Sequence, residues 1–283
     1  MKALPMPAAL LPTRALVDVT GAEAEHFLQN LVTADIEGLP DDLARPSALL
    51  TPQGKILFDF LVSRIDGGFR LDVASSARAD LVKRLMLYRL RAKVAIEPAD
   101  GEVAAVWEAD EAPAGALADG RFPGGEVYRL YGVDLAGDSS ASDYRAMRIA
   151  AGVLEAEADF PAADVFPHDV LLDQNGGVSF KKGCFVGQEV VSRMQHRGTA
   201  RRRVMVLRAE GHLSEGANVE ADGRTVGTLL AAAGKVGAAI LRIDKVAEAL
   251  RGGQTLSVDG VPVEAEVPAW AGYVLPAESE ASA

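Results

Sequence analysis

The chain contains a single cysteine, Cys184, and two lysines, Lys181 and Lys182, stand shortly before it. Neighbouring cations and a following helix start both lower the pKa of a thiol, which favours the nucleophilic or metal-binding thiolate. The alternative is that Cys184 is a small buried hydrophobe, a common role for a free cysteine. The lysines and the turn expected after Cys184 are compatible with a functional thiol, so both interpretations stay open on these residues alone.

The segment around this thiol is basic in an acidic protein. From Lys181 to Arg203 there are seven Lys or Arg residues against one Glu, which gives a local charge of +6. The whole chain carries −11, so the remainder sums to −17. Packing alone does not require such a reversal, and we interpret the segment as a site.

Composition restricts the function classes. A length of 283 residues suits two or three domains, and 49% hydrophobic with 24% charged residues is typical of a globular protein. The acidic balance argues against general nucleic-acid binding, although a local RNA contact through the basic segment stays open. One cysteine excludes an internal disulfide, and with four scattered histidines no metal site is predicted.

The ends and the hydropathy of the chain indicate where the protein works. The stretch from Met1 to Pro12 lacks the pattern of a secretory signal. No run of about 18 apolar residues occurs, so neither a membrane span nor a membrane partner is expected. These features predict a cytoplasmic protein.

The elements that must position the site are strands interspersed with helices. Ile56 to Arg64 is a strand with a long apolar run, and Asp66-Gly67-Gly68 predicts a hairpin into the strand from Phe69 to Val73. Hairpins mixed with helices, without regular βα alternation, favour an α+β fold. After Arg203, short strands separated by Gly and Asp-Gly turns predict a small β-barrel over residues 201–283, ending in a frayed tail. Residues 1–200 are then assigned to two α+β modules.

Two charged features in the first part have open interpretations. Asp59 interrupts the apolar run, and a buried carboxylate is costly unless it is paired, so Asp59 is either functional or bonded to a basic partner. The helix that ends near Leu90 is followed and flanked by Lys83, Arg84, Arg89, Arg91 and Lys93. These cations either complement the helix dipole or form a wall that attracts an anionic ligand.

The residues from Lys182 to Glu189 closely resemble the K-G-C-[FY]-x-G-Q-E signature of the YgfZ folate-binding proteins, a family that includes related mitochondrial iron–sulfur assembly factors. Thr51 to Phe60, Tyr88 to Val94 and Pro167-His168 resemble the same family in the same order. The likeness covers nearly the full chain. It implies the fold of the glycine-cleavage T-protein, with two α+β modules around a central pocket and a C-terminal barrel.

The resemblance also implies a function. It predicts an accessory protein that binds tetrahydrofolate and supports assembly or repair of iron–sulfur clusters in client enzymes, including radical enzymes that modify tRNA. Cys184 is the expected functional thiol, and its partners are iron–sulfur assembly proteins or the clients themselves. The expected folate-binding residues are Asp59, Lys182, Gln188, Glu189 and Arg193.

The alternative is an active aminomethyl or methyl transferase of the T-protein type. Phe58 stands where the T-protein has a carboxylate beside Asp59, and Ala150 stands where it has a glutamate. These two losses argue against transfer chemistry, and the T-protein lacks a counterpart of Cys184. A third interpretation is a non-catalytic scaffold that binds a protein or an RNA through the basic segment.

Overall fold

A computed structural model gives the structure of residues 6–109, 111–124, 126–133, 137–198 and 200–277. The start of the N-terminal stretch, residues 1–5, and the end of the predicted tail, residues 278–283, lie outside the described residues. The secondary structure below refers to the described ranges.

Hydrophobic strands dominate the first part of the chain. The predicted hairpin is confirmed, because the strands on either side of Asp66 and Gly67 pair in antiparallel register. The strands of this part are β1 (Ala8–Leu10), β2 (Arg14–Thr20), β3 (Leu43–Leu50), β4 (Ile56–Ile65), β5 (Gly68–Ala74), β6 (Ala95–Ala99), β7 (Val103–Trp107), β8 (Leu117–Asp119) and β9 (Val127–Tyr131).

These nine strands form one sheet in the order β1-β7-β9-β8-β3-β4-β5-β2-β6. Strands β3 and β8 pair in parallel at the centre, and the other neighbours are antiparallel. The β3–β8 pair therefore joins two antiparallel halves, and residues from both halves meet beneath it.

Five helices accompany the strands in the described ranges. Helix α3 starts with a capping box, in which Ser140 and Asp143 bond each other's backbone N–H groups. The helices are α1 (Ala24–Gln29), α2 (Arg78–Arg89), α3 (Ala141–Ala150), α4 (Gln188–His196) and α5 (Ile243–Arg251).

The last part of the chain closes into a barrel of six strands. Closure is completed where β10 pairs with β13 on one side and with β15 on the other. The strands are β10 (Arg202–Ala209), β11 (Asn218–Ala221), β12 (Arg224–Ala233), β13 (Val236–Arg242), β14 (Leu256–Val258) and β15 (Val261–Glu266).

The predicted α+β class and the C-terminal barrel are confirmed by this architecture. The boundary at residues 200 and 201, and the division of the first part into two modules, stay predictions. Helix α5 interrupts a region that the sequence analysis assigned to strands alone. Between α3 and α4 lies an irregular segment, residues 151–187, which contacts the sheet on one side and barrel residues on the other.

Candidate functional site

Cys184 lies in a loop, residues 181–187, that we call the thiol loop. Its side chain is exposed. The two residues that follow anchor the loop on different cores, because Phe185 is buried with residues of the irregular segment while Val186 packs against the core of the sheet. A role for Cys184 as a buried hydrophobe is therefore excluded, and its functional role stays a prediction.

Lys182 fixes the loop from the N-terminal side. Its ammonium donates hydrogen bonds to the carbonyls of Val32 at 2.6 Å and Ala34 at 2.8 Å, and it lies 5.3 Å from the centre of the Phe185 ring. Burial lowers the pKa of Lys182 to about 8, against the opposing charge of Asp35. Lys182 thus serves as a clamp, and its donors point at backbone instead of at open solvent.

Close glycine packing fixes the loop from the C-terminal side. Gly187 has φ +80°, and a Cβ on it would lie 2.6 Å from the carbonyl oxygen of Thr51. On the facing turn, Gly54 has φ +81°, and a Cβ there would lie 2.9 Å from the Cβ of Val190. The turn between β3 and β4 therefore docks directly against the start of α4, which requires glycine at both positions.

Helix α4 carries three of the expected folate-binding residues on or near its surface. Glu189 and Arg193 form an ion pair at 2.5 Å, and their side chains are 83% and 55% exposed. Gln188 is half-buried in the first position of the helix. An exposed pair of this kind contributes about 0–1 kcal/mol to stability, so its presence does not by itself define a pocket.

His168 holds the other end of α4. It is fully buried, and its Nε2 lies 3.2 Å from Oε1 of Gln195, while Nδ1 has no hydrogen-bond partner among the described residues. Burial lowers the pKa of His168, which favours the neutral ring. His196 is exposed at the end of the helix. No hydrogen bond joins Cys184 to either histidine within the described ranges, so a Cys–His pair is not formed.

Beneath the sheet lies a set of charged side chains that we call the buried ion cluster. Arg14 on β2 donates to Asp72 on β5 at 2.7 Å, and Arg148 on α3 donates to Asp159 at 2.5 Å. Glu155 lies between these two pairs, 3.9 Å from Arg14 and 3.8 Å from Arg148, and it also accepts a hydrogen bond from Arg121. The members are Arg14, Asp72, Asp119, Arg121, Arg129, Arg148, Glu155 and Asp159.

The charges in this cluster compensate one another. Burial alone would raise the pKa of Glu155, but the charges of surrounding arginines, with Arg148 first, hold that pKa well below its ordinary value. Burial would likewise raise the pKa of Asp119, and Arg121 and Arg129 lower it. Glu155 and Asp119 are thus ionised and paired, as buried charges must be.

Asp59 lies beside the cluster without an ion pair of its own among the described residues. Its carboxylate accepts a hydrogen bond from the N–H of Ala156 at 3.2 Å. Burial raises the pKa of Asp59, and the charge of Arg14 opposes that shift. Phe58 is buried in the core of the sheet, and Ala150 is exposed on α3. The charge of Glu155, a residue that the sequence analysis did not single out, also raises the pKa of Asp59.

Two cavities adjoin the cluster. The first is lined by Arg14, Ser47, Asp59, Arg121, Asn175 and Trp270, and its volume of about 20 Å³ is enough for one water molecule. The second is an open cleft of about 470 Å³. Its polar lining includes Arg14, Ser75, Tyr144, Arg145, Arg148 and Glu155.

The predicted site residues therefore lie in two places. The thiol loop and the start of α4 hold Lys182, Cys184, Gln188, Glu189 and Arg193. Asp59 lies at the buried ion cluster and lines the small cavity, and the lining of the two cavities includes none of the other five. The site assignment as a whole stays a prediction.

Within the described ranges, no group of three or more His, Cys, Asp or Glu side chains is placed to hold a metal ion. None of the described helices is both long enough and apolar enough to cross a membrane.

Comparison with known proteins identifies the fold. Residues 201–273 match the family described as CAF17, C-terminal beta-barrel domain. The solved structure of the glycine cleavage system aminomethyltransferase T from Bartonella henselae is similar, with a TM-score of 0.74 over 94% of this chain and 87% of that one. At 16% identity this likeness shows the fold alone. The expected T-protein-like fold is confirmed.

Several named relatives belong to one family. The iron–sulfur cluster assembly factor IBA57, mitochondrial, of Mus musculus is 32% identical over 92% of this chain and 84% of its own length. The protein of the same name from Homo sapiens is 31% identical over 83% and 77%. The homolog from Pyricularia oryzae is 29% identical over 83% and 71%.

These matches correct two expectations. The expected cytoplasmic location is contradicted, because the matched relatives from mammals and fungi are named as mitochondrial proteins. The resemblance to YgfZ is confirmed only at the level of related proteins, since these relatives carry the name IBA57. With its CAF17-type barrel and T-protein-like fold, the chain belongs to the IBA57 family.

Proposed function

We propose that the protein supports the assembly or repair of iron–sulfur clusters in client enzymes and that Cys184 is the residue through which it does so. The observation that carries this proposal is an exposed thiol on a loop fixed at both ends by the body of the protein. Membership of a family whose named members are iron–sulfur cluster assembly factors supports the same function.

The chemistry requires a second protein. One cysteine supplies one of the ligands that a cluster iron needs, and among the described residues it belongs to no group of three or more His, Cys, Asp or Glu side chains placed to hold a metal ion. In the exchange, Cys184 loses its proton and forms an S–Fe bond while one partner thiolate leaves the same iron and takes up that proton. No oxidant or reductant is consumed. The partners are therefore cluster-carrying assembly proteins or the clients themselves.

The resemblance to YgfZ supports two finer elements of the proposal. One is that the clients include radical enzymes that modify tRNA. The other is that tetrahydrofolate or a derivative is bound. The 20 Å³ cavity is too small for a folate, whereas the 470 Å³ cleft has the size usual for such ligands. In that cleft, the cation of Arg145 would meet a glutamate tail, and Ser75 and Ser76 would meet the polar ring. When bound, the folate would supply one-carbon chemistry.

The thiol proposal is tested by replacing Cys184. We expect Cys184→Ala to unfold at the same temperature as the wild type, because the side chain is exposed, and to lose support of cluster enzymes in a deletion strain. A matched substitution at a nearby half-buried small residue, Ser192→Ala on α4, should keep that support. Full complementation by Cys184→Ala would overturn the thiol mechanism.

The folate proposal is tested separately by calorimetric titration with tetrahydrofolate. We expect saturable binding by the wild type and loss of binding in Ala158→Trp, which places a large ring in the cleft. Ala150→Trp, on the exposed side of α3 outside the lining, is the control. Binding that survives Ala158→Trp but fails in Lys182→Ala would move the folate to the thiol loop, and no binding at all would remove folate while leaving the cluster proposal intact.

A further inference from the structure

Helix α2 is apolar on two opposite faces. Leu81 and Leu85 on the inner face are fully buried in the core of the sheet. On the outer face Met86, Leu87 and Leu90 are 42%, 69% and 86% exposed. Residues three and four apart are neighbours on a helix, so these three side chains form one patch, which we call the apolar tip.

A leucine at position 90 is unfavourable in both its backbone conformation and its exposure to solvent. It is the residue that ends α2, with φ +45° and ψ −105°, a conformation that favours glycine because a Cβ is strained there. It is also almost fully exposed. Neither the backbone nor the packing of this chain therefore explains a leucine at position 90, and its side chain is available to an external surface.

Cations flank the apolar tip along the chain. Residues 78–93 contain six Lys or Arg against one Asp, a local charge of +5 in a chain that carries −11. Within the described ranges, the ion pair of this segment is Lys83 with Asp80 at 3.1 Å. Arg84, Arg91 and Lys93 are exposed. Complementing the helix dipole accounts for Arg89 in the last turn and not for these three.

The charge and the size of this surface determine which kind of partner can bind it. Two copies of the tip facing each other would place +5 against +5, which disfavours a symmetric dimer. A stable protein interface needs about 800 Å² on each partner, far more than three apolar side chains supply. An anionic bilayer can bind both the apolar tip and the cations. The leucines would enter the boundary between headgroups and acyl chains, while the Arg and Lys side chains would extend to the lipid phosphates.

We propose that the apolar tip and the cations around it bind the surface of an anionic lipid bilayer. The proposal departs from the expectation of no membrane partner, which was based on the lack of a spanning segment, because surface binding needs no such segment. The net negative charge of the rest of the chain does not prevent it, because charges more than a Debye length of about 8 Å away are largely screened at physiological salt. The proposal is independent of the function of Cys184.

The test is sedimentation of the purified full-length chain with vesicles. We expect the wild type to sediment with vesicles of phosphatidylcholine mixed with phosphatidylglycerol, to stay in solution with phosphatidylcholine alone, and to be released by salt. Leu87→Gln/Leu90→Gln should lower the bound fraction by about tenfold. Arg84→Glu/Arg91→Glu should remove binding at every salt concentration.

Three variants separate this proposal from a folding effect. Leu90→Gly relieves the strained conformation, so it should fold at least as well as the wild type and still bind less. Leu250→Gln on α5 and Lys235→Glu in the barrel change a leucine that is 45% exposed and a surface cation elsewhere, and both should bind as the wild type does. The proposal is overturned if the wild type ignores anionic vesicles, or if the α2 variants bind as well as these controls.

Discussion

Gly54 and Gly187 are in backbone contact: a Cβ on Gly187 would lie 3.0 Å from the Cα of Gly54. Gly54 lies in the stretch from Thr51 to Phe60, and Gly187 lies in the stretch from Lys182 to Glu189. These are the two longest stretches that resemble the YgfZ proteins, and they are far apart in the chain. Their contact shows that the stretches form one structural unit. The turn from Thr51 to Gly54 is the surface on which the start of α4 and the thiol loop are seated.

We therefore expect Gly187→Ala to destabilise the protein by about 2–4 kcal/mol, since it adds backbone strain at φ +80° to a clash with the Thr51 carbonyl. The matched control is Gly183→Ala in the same loop, where a Cβ would meet nothing within 4 Å. That control should stay within about 0.5 kcal/mol of the wild type. Urea unfolding of both variants tests this prediction. Equal stabilities of the two variants would contradict the docking of the β3–β4 turn against the start of α4.

Removing one charge from the buried ion cluster should be costly. We expect Glu155→Gln to lower the free energy of unfolding by about 3–5 kcal/mol, because it leaves buried arginines uncompensated. Glu189→Gln makes the same chemical change in the exposed pair with Arg193 and should cost less than about 1 kcal/mol. Chemical denaturation measures both, and similar losses would show that the cluster is not held by its charges.

The same cluster should make the protein sensitive to acid. The pKa values of Glu155 and Asp119 are lower in the folded state than in the unfolded chain, so their contribution is complete above the unfolded values of about 4. It is lost as the pH falls below that toward the folded values. We expect stability to decrease below about pH 4.5, with a smaller slope in Glu155→Gln. An identical slope in the two proteins would exclude Glu155 as a contributor.

Ionisation of Asp59, unlike that of Glu155 and Asp119, should destabilise the folded state. Because burial raises its pKa in the folded state, ionisation at neutral pH disfavours folding. We expect Asp59→Asn, which can still accept from the Ala156 N–H, to be more stable than the wild type at pH 7. The advantage should disappear as the pH falls below about 4, where the wild-type carboxyl is protonated in both states. Asp66→Asn, at an exposed hairpin turn, should change nothing, and a destabilised Asp59→Asn would indicate an ion pair at Asp59.

Leu90→Gly should stabilise the protein, an unusual direction for a glycine substitution. It relieves a leucine at φ +45° and removes a side chain that is 86% exposed, so a gain of about 0.5–1 kcal/mol is expected. Leu87→Gly, one turn earlier inside α2, should instead cost about 1 kcal/mol, because glycine is a poor helix former. Thermal unfolding of both variants tests the contrast, and a loss in Leu90→Gly would show that its conformation is not strained.

Local patterns in the sequence were sufficient for much of the fold. The alternation along β5, the Asp66-Gly67 turn and the Gly-separated strands after Arg203 each depend on neighbours a few residues away, and the structure has all three. Helix α5 carried a comparable signal in Ile243, Val246 and Ala247, whose spacing predicts one buried face. That signal was outweighed by the surrounding strand pattern.

The buried ion cluster had no such local signal. Arg14 and Arg129 stand in stretches where an arginine is ordinarily taken for a surface residue, and only the assembly of distant strands into one sheet brings them to Asp72. The contacts of Lys182 near the thiol could not be predicted from local sequence either. Its position beside Cys184 was evident, but its bonds to backbone carbonyls depend on the path of a remote segment.

The contact of Lys182 with this remote segment affects when the thiol loop can become fixed during synthesis. Val32, whose carbonyl accepts from Lys182, emerges from the ribosome 150 residues before the lysine does. A chain whose first segments fail to fold therefore has a thiol without a fixed position. Chemistry that needs Cys184 held in place is open only to molecules in which Lys182 has found Val32, which makes the placement of this one side chain a mark of long-range folding in the first part of the chain.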